Sequence, residues 1–258
     1  MIFVALFFAT WFVLKQIDWI KHFKVKQTTK SLEEKLGDLI WKSISASEGV
    51  INDKKITNAV DSILTKICKA NNIDRTKIKL HIVKNSEVNA FALPNNYLLV
   101  NSGLILNCVN EGELASVMAH EIAHIQLNHV MEKVVLKMGM TVLVTITSGG
   151  GGEMTKEILH LLTSTAYDRT LESEADAKAV DYLIASNMDP ENFANFLFRL
   201  SGKEDEWTKR LEMISTHPNS KERAEAIIEL CKDKKFAKKQ VLSPKKWIEL
   251  QDRIKEMK

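Results

Sequence analysis

The sequence has no disulfide framework. Its three cysteines, Cys68, Cys108 and Cys231, are odd in number and widely spaced, so they form neither a set of paired bridges nor a CxxC metal knuckle. Cys68 falls on the apolar face of a helical pattern and reads as a buried thiol, which leaves the redox compartment open. Charge of one sign is also missing: 36 basic and 33 acidic residues, closely interspersed, leave a net +3 over 258 residues. A nucleic-acid binder would show a dominant basic face, which this balance does not suggest. The lysines near the C-terminus (Lys232, Lys234, Lys235, Lys238, Lys239, Lys245, Lys246) form either a solvated helix end and loop or a patch attracted to acidic lipid or RNA. There is no internal repeat, and no low-complexity tract beyond Gly149 to Gly152.

Ile2 to Leu14 is apolar except for Thr10 and ends at Lys15. A membrane-spanning helix needs about twenty such residues, and a run this short is more often a signal-peptide core. Yet no lysine or arginine precedes it and no small-x-small cleavage site follows. Lys15, Lys21, Lys24 and Lys26 lie on the side that the positive-inside rule places in the cytoplasm. The expectation is that residues 1–27 form an uncleaved or poorly cleaved export signal and membrane anchor; the alternative is a helix packed on the core. Residues 28–258 are then the folded part, and the length allows one domain or two small ones.

Periodicity gives a mostly helical α+β chain. Leu32, Leu36, Leu39, Ile40 and Ile44 mark one amphipathic helix, and Ile56, Val60, Ile63 and Ile67 a second. The period then shortens: Lys77 to Val83 alternates as a half-buried strand, and Val88 to Leu93 and Tyr97 to Asn101 read as two more, joined at Pro94-Asn95-Asn96. Asn110 with Glu113 resembles a capping box and opens a long helix running past Val130. Met138 to Thr147 is apolar and ends in four glycines, which break any helix. It is a mobile lid or membrane-touching loop, or else a buried helix. A further long helix is expected from about Glu153 to Ser186, with shorter ones over Pro190 to Leu200, Ser220 to Cys231 and Pro244 to Met257.

His120-Glu121-Ile122-Ala123-His124 is an HExxH sequence. Residues four apart share a helix face, so His120 and His124 can offer two imidazole nitrogens to one ion. Glu121 is turned about 100° away from His120 and can reach a water beside the ion without becoming a ligand. Two nitrogen donors, a nearby base and an open position suit a metal hydrolase.

A third ligand is needed. A metzincin would place a glycine three residues and a third histidine six residues after His124; Leu127 and Val130 stand there instead. His129 is one residue short and reads as a surface or outer residue supporting a ligand. Glu172 and Asp176, four apart on a later helix, supply the alternative: Glu172 can bind the metal while Asp176 accepts a hydrogen bond from a liganding imidazole. Glu174 points elsewhere. Alone, this acidic cluster would be a solvated helix face.

Four motifs together resemble the zinc endopeptidase family that includes the CAAX prenyl-protein endopeptidase, the heat-shock membrane peptidase and the β-barrel-assembly-enhancing protease. They are Asn89-Ala90-Phe91-Ala92-Leu93-Pro94, then His120-Glu121-x-x-His124, then Glu172-x-x-x-Asp176, then Thr216-His217-Pro218 with Arg223. They span about residues 75 to 230. The many membrane helices of the prenyl-protein enzyme are missing, so the likeness is to the compact, exported branch. The resemblance implies a gluzincin-like domain with a small antiparallel sheet packed on the HExxH helix and one Zn2+ per chain. The ion would be held by His120, His124 and Glu172, with Glu121 as general base and acid. It implies also that Asn89, Ala90, Phe91 and Ala92 edge the cleft, where an extended substrate can pair with the strand. His217 either stabilises the oxyanion or occupies the open metal position and holds the enzyme latent, unless it is a capping or core histidine. Asn89 is similarly a turn residue or a donor to substrate.

The function expected is a zinc-dependent endopeptidase cutting unfolded or flexible protein segments, in quality control of a bacterial-type envelope, membrane-anchored or periplasmic. The competing reading is a zinc-containing, chaperone-like assembly factor acting by binding. A structural zinc domain is disfavoured by two His and one Glu, which leave a position open where structural sites close with four ligands.

Overall fold

The computed structural model describes residues 25–147, 152–202, 212–232, 234–236 and 238–257. The expected anchor over Ile2 to Leu14 and Gly149 to Gly151 of the glycine break lie outside them. No helix of the described residues is long and apolar enough to cross a membrane.

Helix α1 (Val25–Ser47) buries the stripe Leu36, Ile40 and Ile44. Helix α2 (Lys54–Ala70) starts where the Asp53 carboxylate accepts from the Lys55 and Ile56 amides. It buries Ile56, Val60, Ile63, Leu64, Ile67 and Cys68, side chains worth about 1.5–3 kcal/mol each for the larger ones. Both helices fall where the period placed them.

The four-stranded sheet has the order β1 (Gly49–Val50), β2 (Lys79–Lys84), β4 (Tyr97–Asn101), β3 (Ala90–Leu93). It is mixed rather than antiparallel throughout, because β2 and β4 run parallel between two antiparallel pairs. After β2 the chain skips one position and runs back along the outer edge as β3. It then turns through Asn95 and Asn96, both at positive φ, to fill the central slot as β4. Alternation along a strand reports faces, not partners, so this pairing is invisible in the period.

The sheet separates two apolar layers. Ile82, Ala90, Leu98 and Val100 pack with α2 and the motif helix, whereas Val83, Leu93, Tyr97 and Leu99 pack with α1. Gly37 in α1 lies so close to the β3–β4 turn that a Cβ would overlap the Pro94 carbonyl oxygen. Asp38 of the same helix accepts hydrogen bonds from Asn95 Nδ2 (2.8 Å), Tyr97 OH (2.9 Å) and Lys79 Nζ (3.1 Å).

After the short α3 (Ser102–Asn107), Asn110 caps α4 (Glu111–Gln126): its Oδ1 accepts from the Glu113 amide, and Glu113 Oε2 reaches back to the Val109 amide. Helix α4 carries HExxH through the interior, against α2, β3 and two later helices. It stops short of Val130, because Asn128 adopts a left-handed conformation (φ 64°) and the chain restarts as α5 (His129–Met138). Helix α6 (Met140–Thr147) packs on α1 and α5, with Leu143 buried and Val144 exposed. The single helix expected from Glu153 to Ser186 is two: α7 (Gly152–Ser164) and α8 (Arg169–Ala185), separated by a break that ends at the N-cap Asp168. Helices α9 (Glu191–Ser201), α10 (Glu212–Thr216), α11 (Ser220–Cys231) and α12 (Pro244–Glu256) complete the described chain. The three cysteines are buried free thiols, and burial pushes Cys68 and Cys231 up to about 11.

Candidate metal centre

Helix α4 presents His120 and His124 one turn apart, with their Nε2 atoms 3.0 Å from each other. The first turn of α8 brings Glu172 to them: Oε1 is 3.4 Å from His124 Nε2, and Oε2 is 3.6 Å from His120 Nε2. His217, just after α10, closes the group, its Nδ1 3.3 Å from His120 Nε2 and 2.8 Å from Glu172 Oε1. All four side chains are buried, and their donor atoms lie within 4.8 Å of one another. A tetrahedral ion with nitrogen and oxygen donors at about 2.0–2.2 Å holds neighbouring donors about 3.3–3.6 Å apart, and the observed spacings come within about half an ångström of that. Imidazole nitrogens facing one another at 3.0 Å, with a carboxylate between them, make a donor set that a divalent cation satisfies. The residues fit a metal.

The charges agree. Burial alone would raise Glu172, but His217 and Arg223, with hydrogen bonds from His124 and His217, hold it well below the usual carboxylate range. Burial keeps His124 well below the ordinary imidazole value, the neutral state a ligand needs. Glu121 lies beside the donors without joining them. Burial raises its carboxyl above the ordinary value, against the pull of His217, His120 and the Ala92 amide. Its Oε2 accepts from the Ala92 N–H at 2.8 Å, and its Oε1 is 3.5 Å from His217 Nε2.

The profile of Peptidase family M48 matches residues 54–230. The chain belongs to peptidase family M48. That confirms the resemblance read from the four motifs. The chain is 28% identical over 173 residues to the mitochondrial metalloendopeptidase OMA1 of Schizosaccharomyces pombe, covering 66% of this chain and 51% of that protein. It is 29% identical over 202 residues to the beta-barrel assembly-enhancing protease of Yersinia pestis (72% and 41%), and 30% identical over 173 residues to the metalloprotease YcaL of Escherichia coli (64% and 67%). The chain thus spans about half the length of the first two relatives and two thirds of the third.

Around these four side chains lies a second layer. Asp176 Oδ1 is 2.9 Å from His120 Nδ1, as its spacing from Glu172 suggested. Arg223 grips Asp176 with Nε (2.8 Å) and Nη2 (2.7 Å), places Nη1 2.6 Å from Glu172 Oε2, and donates to the His217 carbonyl at 3.2 Å. His129 is buried rather than superficial, with Nδ1 3.1 Å from His124 Nδ1 and Nε2 3.4 Å from Glu174. The strand residues divide. Ala90, Phe91 and Ala92 form the outer edge strand β3, which packs on α4, while Asn89 lies just before it. The Asn89 side chain is fully buried and neither amide atom has a hydrogen-bond partner among the described residues; its carbonyl accepts from the Asn101 amide.

Two buried side chains beside the centre were not read from the sequence. The Tyr167 ring stacks on His124 (4.2 Å, 26°), and Lys133 Nζ stands 4.0 Å from the centre of that ring. Tyr167 lies in the break between α7 and α8, directly before the N-cap Asp168, whose capping signal could have marked the break.

Proposed function

We propose that this chain is a zinc-dependent endopeptidase that cuts unfolded or flexible segments of other proteins, with residues 28–258 as the catalytic domain. The observation that carries the reading is the convergence of His120, His124 and Glu172 with Glu121 alongside in a buried, pre-formed group. Bound there, zinc supplies a Lewis acid that polarises the scissile carbonyl and lowers the pKa of water. The rest falls to the side chains. Glu121, raised by burial, is suited to take a proton from the attacking water and pass it to the departing amine. Asp176 fixes the tautomer and orientation of His120. The edge strand Ala90 to Ala92, with Asn89 just before it, is the part of the sheet that would pair with an extended substrate backbone once the Ala92 N–H is released from Glu121.

His217 has two roles to choose from. With Nδ1 among the donors, the reading favoured here is a removable fourth ligand that closes the centre in a latent form. His217 Nε2, 3.5 Å from Glu121 Oε1, lies on the side of the proposed base, so a displaced ring would be available to assist the developing oxyanion.

The envelope is the proposed place of action, on the strength of relatives named beta-barrel assembly-enhancing protease; misassembled envelope proteins are then the substrate class. Residues 1–27 are proposed as signal and anchor, giving membrane association.

The four-donor arrangement also favours a second reading, a zinc-containing assembly factor that binds without cutting. Purified protein is incubated with casein alongside Glu121→Gln, with zinc content measured in both. Cleavage by the wild type alone, at equal zinc content, supports the peptidase; equal cleavage by both variants, or none by either in any form, overturns it. Function of Glu121→Gln in cells supports the binding factor.

A further inference from the structure

Four contacts meet at Tyr167. Its backbone N–H donates to the carbonyl of Thr216, the residue before His217, at 3.1 Å. Its ring lies nearly parallel to that of His217 (5.5 Å between centres, 24°) and to that of His124 (4.2 Å, 26°). On the ring sits Lys133 Nζ, 4.0 Å from the centroid. The same ammonium donates to the carbonyls of Thr165 (2.6 Å) and Leu162 (3.5 Å), where α7 ends. Lys133 and Tyr167 are both buried.

These contacts have a direction. His120, His124 and Glu172 are carried by α4 and α8, which pack along their length on each other. His217 is carried by a short segment instead. It is held through its own amide to Met213, through Arg223 to its carbonyl, and through Tyr167, whose ring faces it and whose amide holds the preceding Thr216 carbonyl. Arg223 also serves Glu172 and Asp176, so it cannot let go of His217 without disturbing the whole group. Tyr167 stands in a helix break held on one side by the Asp168 cap of α8 and on the other by one cation from α5, which takes up carbonyls at the end of α7. A buried aromatic ring with an ammonium 4.0 Å from its centre is held firmly, and its side-chain contacts to the rings beside it are non-covalent and separable.

We propose that Tyr167 is the latch that keeps His217 at the metal centre, and that Lys133 sets the latch by fixing the break between α7 and α8. It rests on the reading of His217 as a removable fourth donor. Tyr167 is thus a positioning residue, acting through His217 and through the His124 ring on which it also stacks.

The test uses the full chain loaded with zinc or with cobalt(II). Zinc transfer to a chromogenic chelator and the visible cobalt spectrum are recorded for wild type, His217→Ala, Tyr167→Leu, Tyr167→Phe and Lys133→Met. Tyr167→Leu should release zinc about tenfold faster, the size of effect that supporting residues have on metal affinity. Its cobalt bands should weaken towards those of His217→Ala, as a protein-only tetrahedral site gives way to one with solvent. Tyr167→Phe, which keeps the ring and the backbone amide, should restore both to the wild-type pattern, and Lys133→Met should fall between. If His217→Ala leaves release and spectrum unchanged, the fourth-donor reading fails. If His217→Ala changes both while a folded Tyr167→Leu does not, the latch fails alone. Should Tyr167→Leu not fold, Lys133→Met decides: a wild-type spectrum and release rate in that variant overturn the proposal.

Discussion

The amide of Ala92 and the carboxylate of Glu121 are joined by a 2.8 Å hydrogen bond, which ties the outermost strand of the sheet to the residue beside His120. A glutamine at 121 keeps an oxygen that can accept the same N–H, so β3 should stay in place. Glu121→Gln is therefore expected to melt within about 1 kcal/mol of wild type while losing about 10²-fold or more in peptide cleavage. Calorimetry and casein hydrolysis on one preparation check both halves. A large loss of stability would mean that the carboxylate serves the fold rather than the reaction.

Removing the metal should cost stability as well as activity. Four buried donors gathered from α4, α8 and the segment after α10 would be tied together more tightly by a cation among them than by their own hydrogen bonds. With metal at 10³ times its dissociation constant, binding contributes about 4 kcal/mol, or roughly 10 °C in melting temperature for a domain of this size. Differential scanning fluorimetry with and without a chelator, followed by zinc add-back, measures the shift. No shift in either direction would argue against a resident ion.

Gly37 permits the contact of α1 with the β3–β4 turn. A leucine there has no room beside the Pro94 carbonyl, so Gly37→Leu should lose about 1–3 kcal/mol in urea unfolding. Because that turn ends the strand bonded to Glu121, its KM for a peptide substrate should rise more than kcat falls. Unchanged stability would show that α1 can shift away at no cost.

Asp53 gives a pH prediction away from the metal. It caps α2 and is bonded to Arg253 of α12 through Nε at 2.8 Å and Nη2 at 2.5 Å. The Arg253 hydrogen bonds lower its carboxyl from an ordinary value of 3.8 to about 2. The folded pKa is thus the lower one, so the pair's contribution is full above about pH 4 and fades as pH falls through 2. Asn also caps helices, so Asp53→Asn isolates the charge. The gap in stability between wild type and this variant should be constant from pH 7 to 5 and close between pH 4 and 2. A gap that persists at pH 2 would assign the effect to shape instead.

The local parts of the site were legible because helix geometry is short-ranged. The four-residue spacings of His120 with His124, and of Glu172 with Asp176, bring their side chains to a common face in any helix, and both pairs meet in the structure. His217 has no such spacing to either pair; only the resemblance pointed to it. Tyr167 was hidden for a different reason. The apolar pattern continues from α7 into α8, and the one local signal of the break, the capping Asp168, is easily passed over; the rest of it is a lysine some thirty residues earlier that takes up the carbonyls of Leu162 and Thr165. The parallel pairing of β2 with β4 is a matter of chain order, which alternation cannot report, and the two residues of β1 are too few to show a period. His129 lies five residues past His124, off the motif's face, yet the turn at Asn128 swings it back onto the ring.

The thiols have one last consequence. Cys68, Cys108 and Cys231 are sealed among apolar side chains that favour the protonated, unreactive form. Oxidants reach them only when the chain opens, and no sulfur–sulfur bond has to form for it to close. A fold built this way is indifferent to glutathione, and it can mature in a reducing cytosol or an oxidising space outside it with the same covalent skeleton.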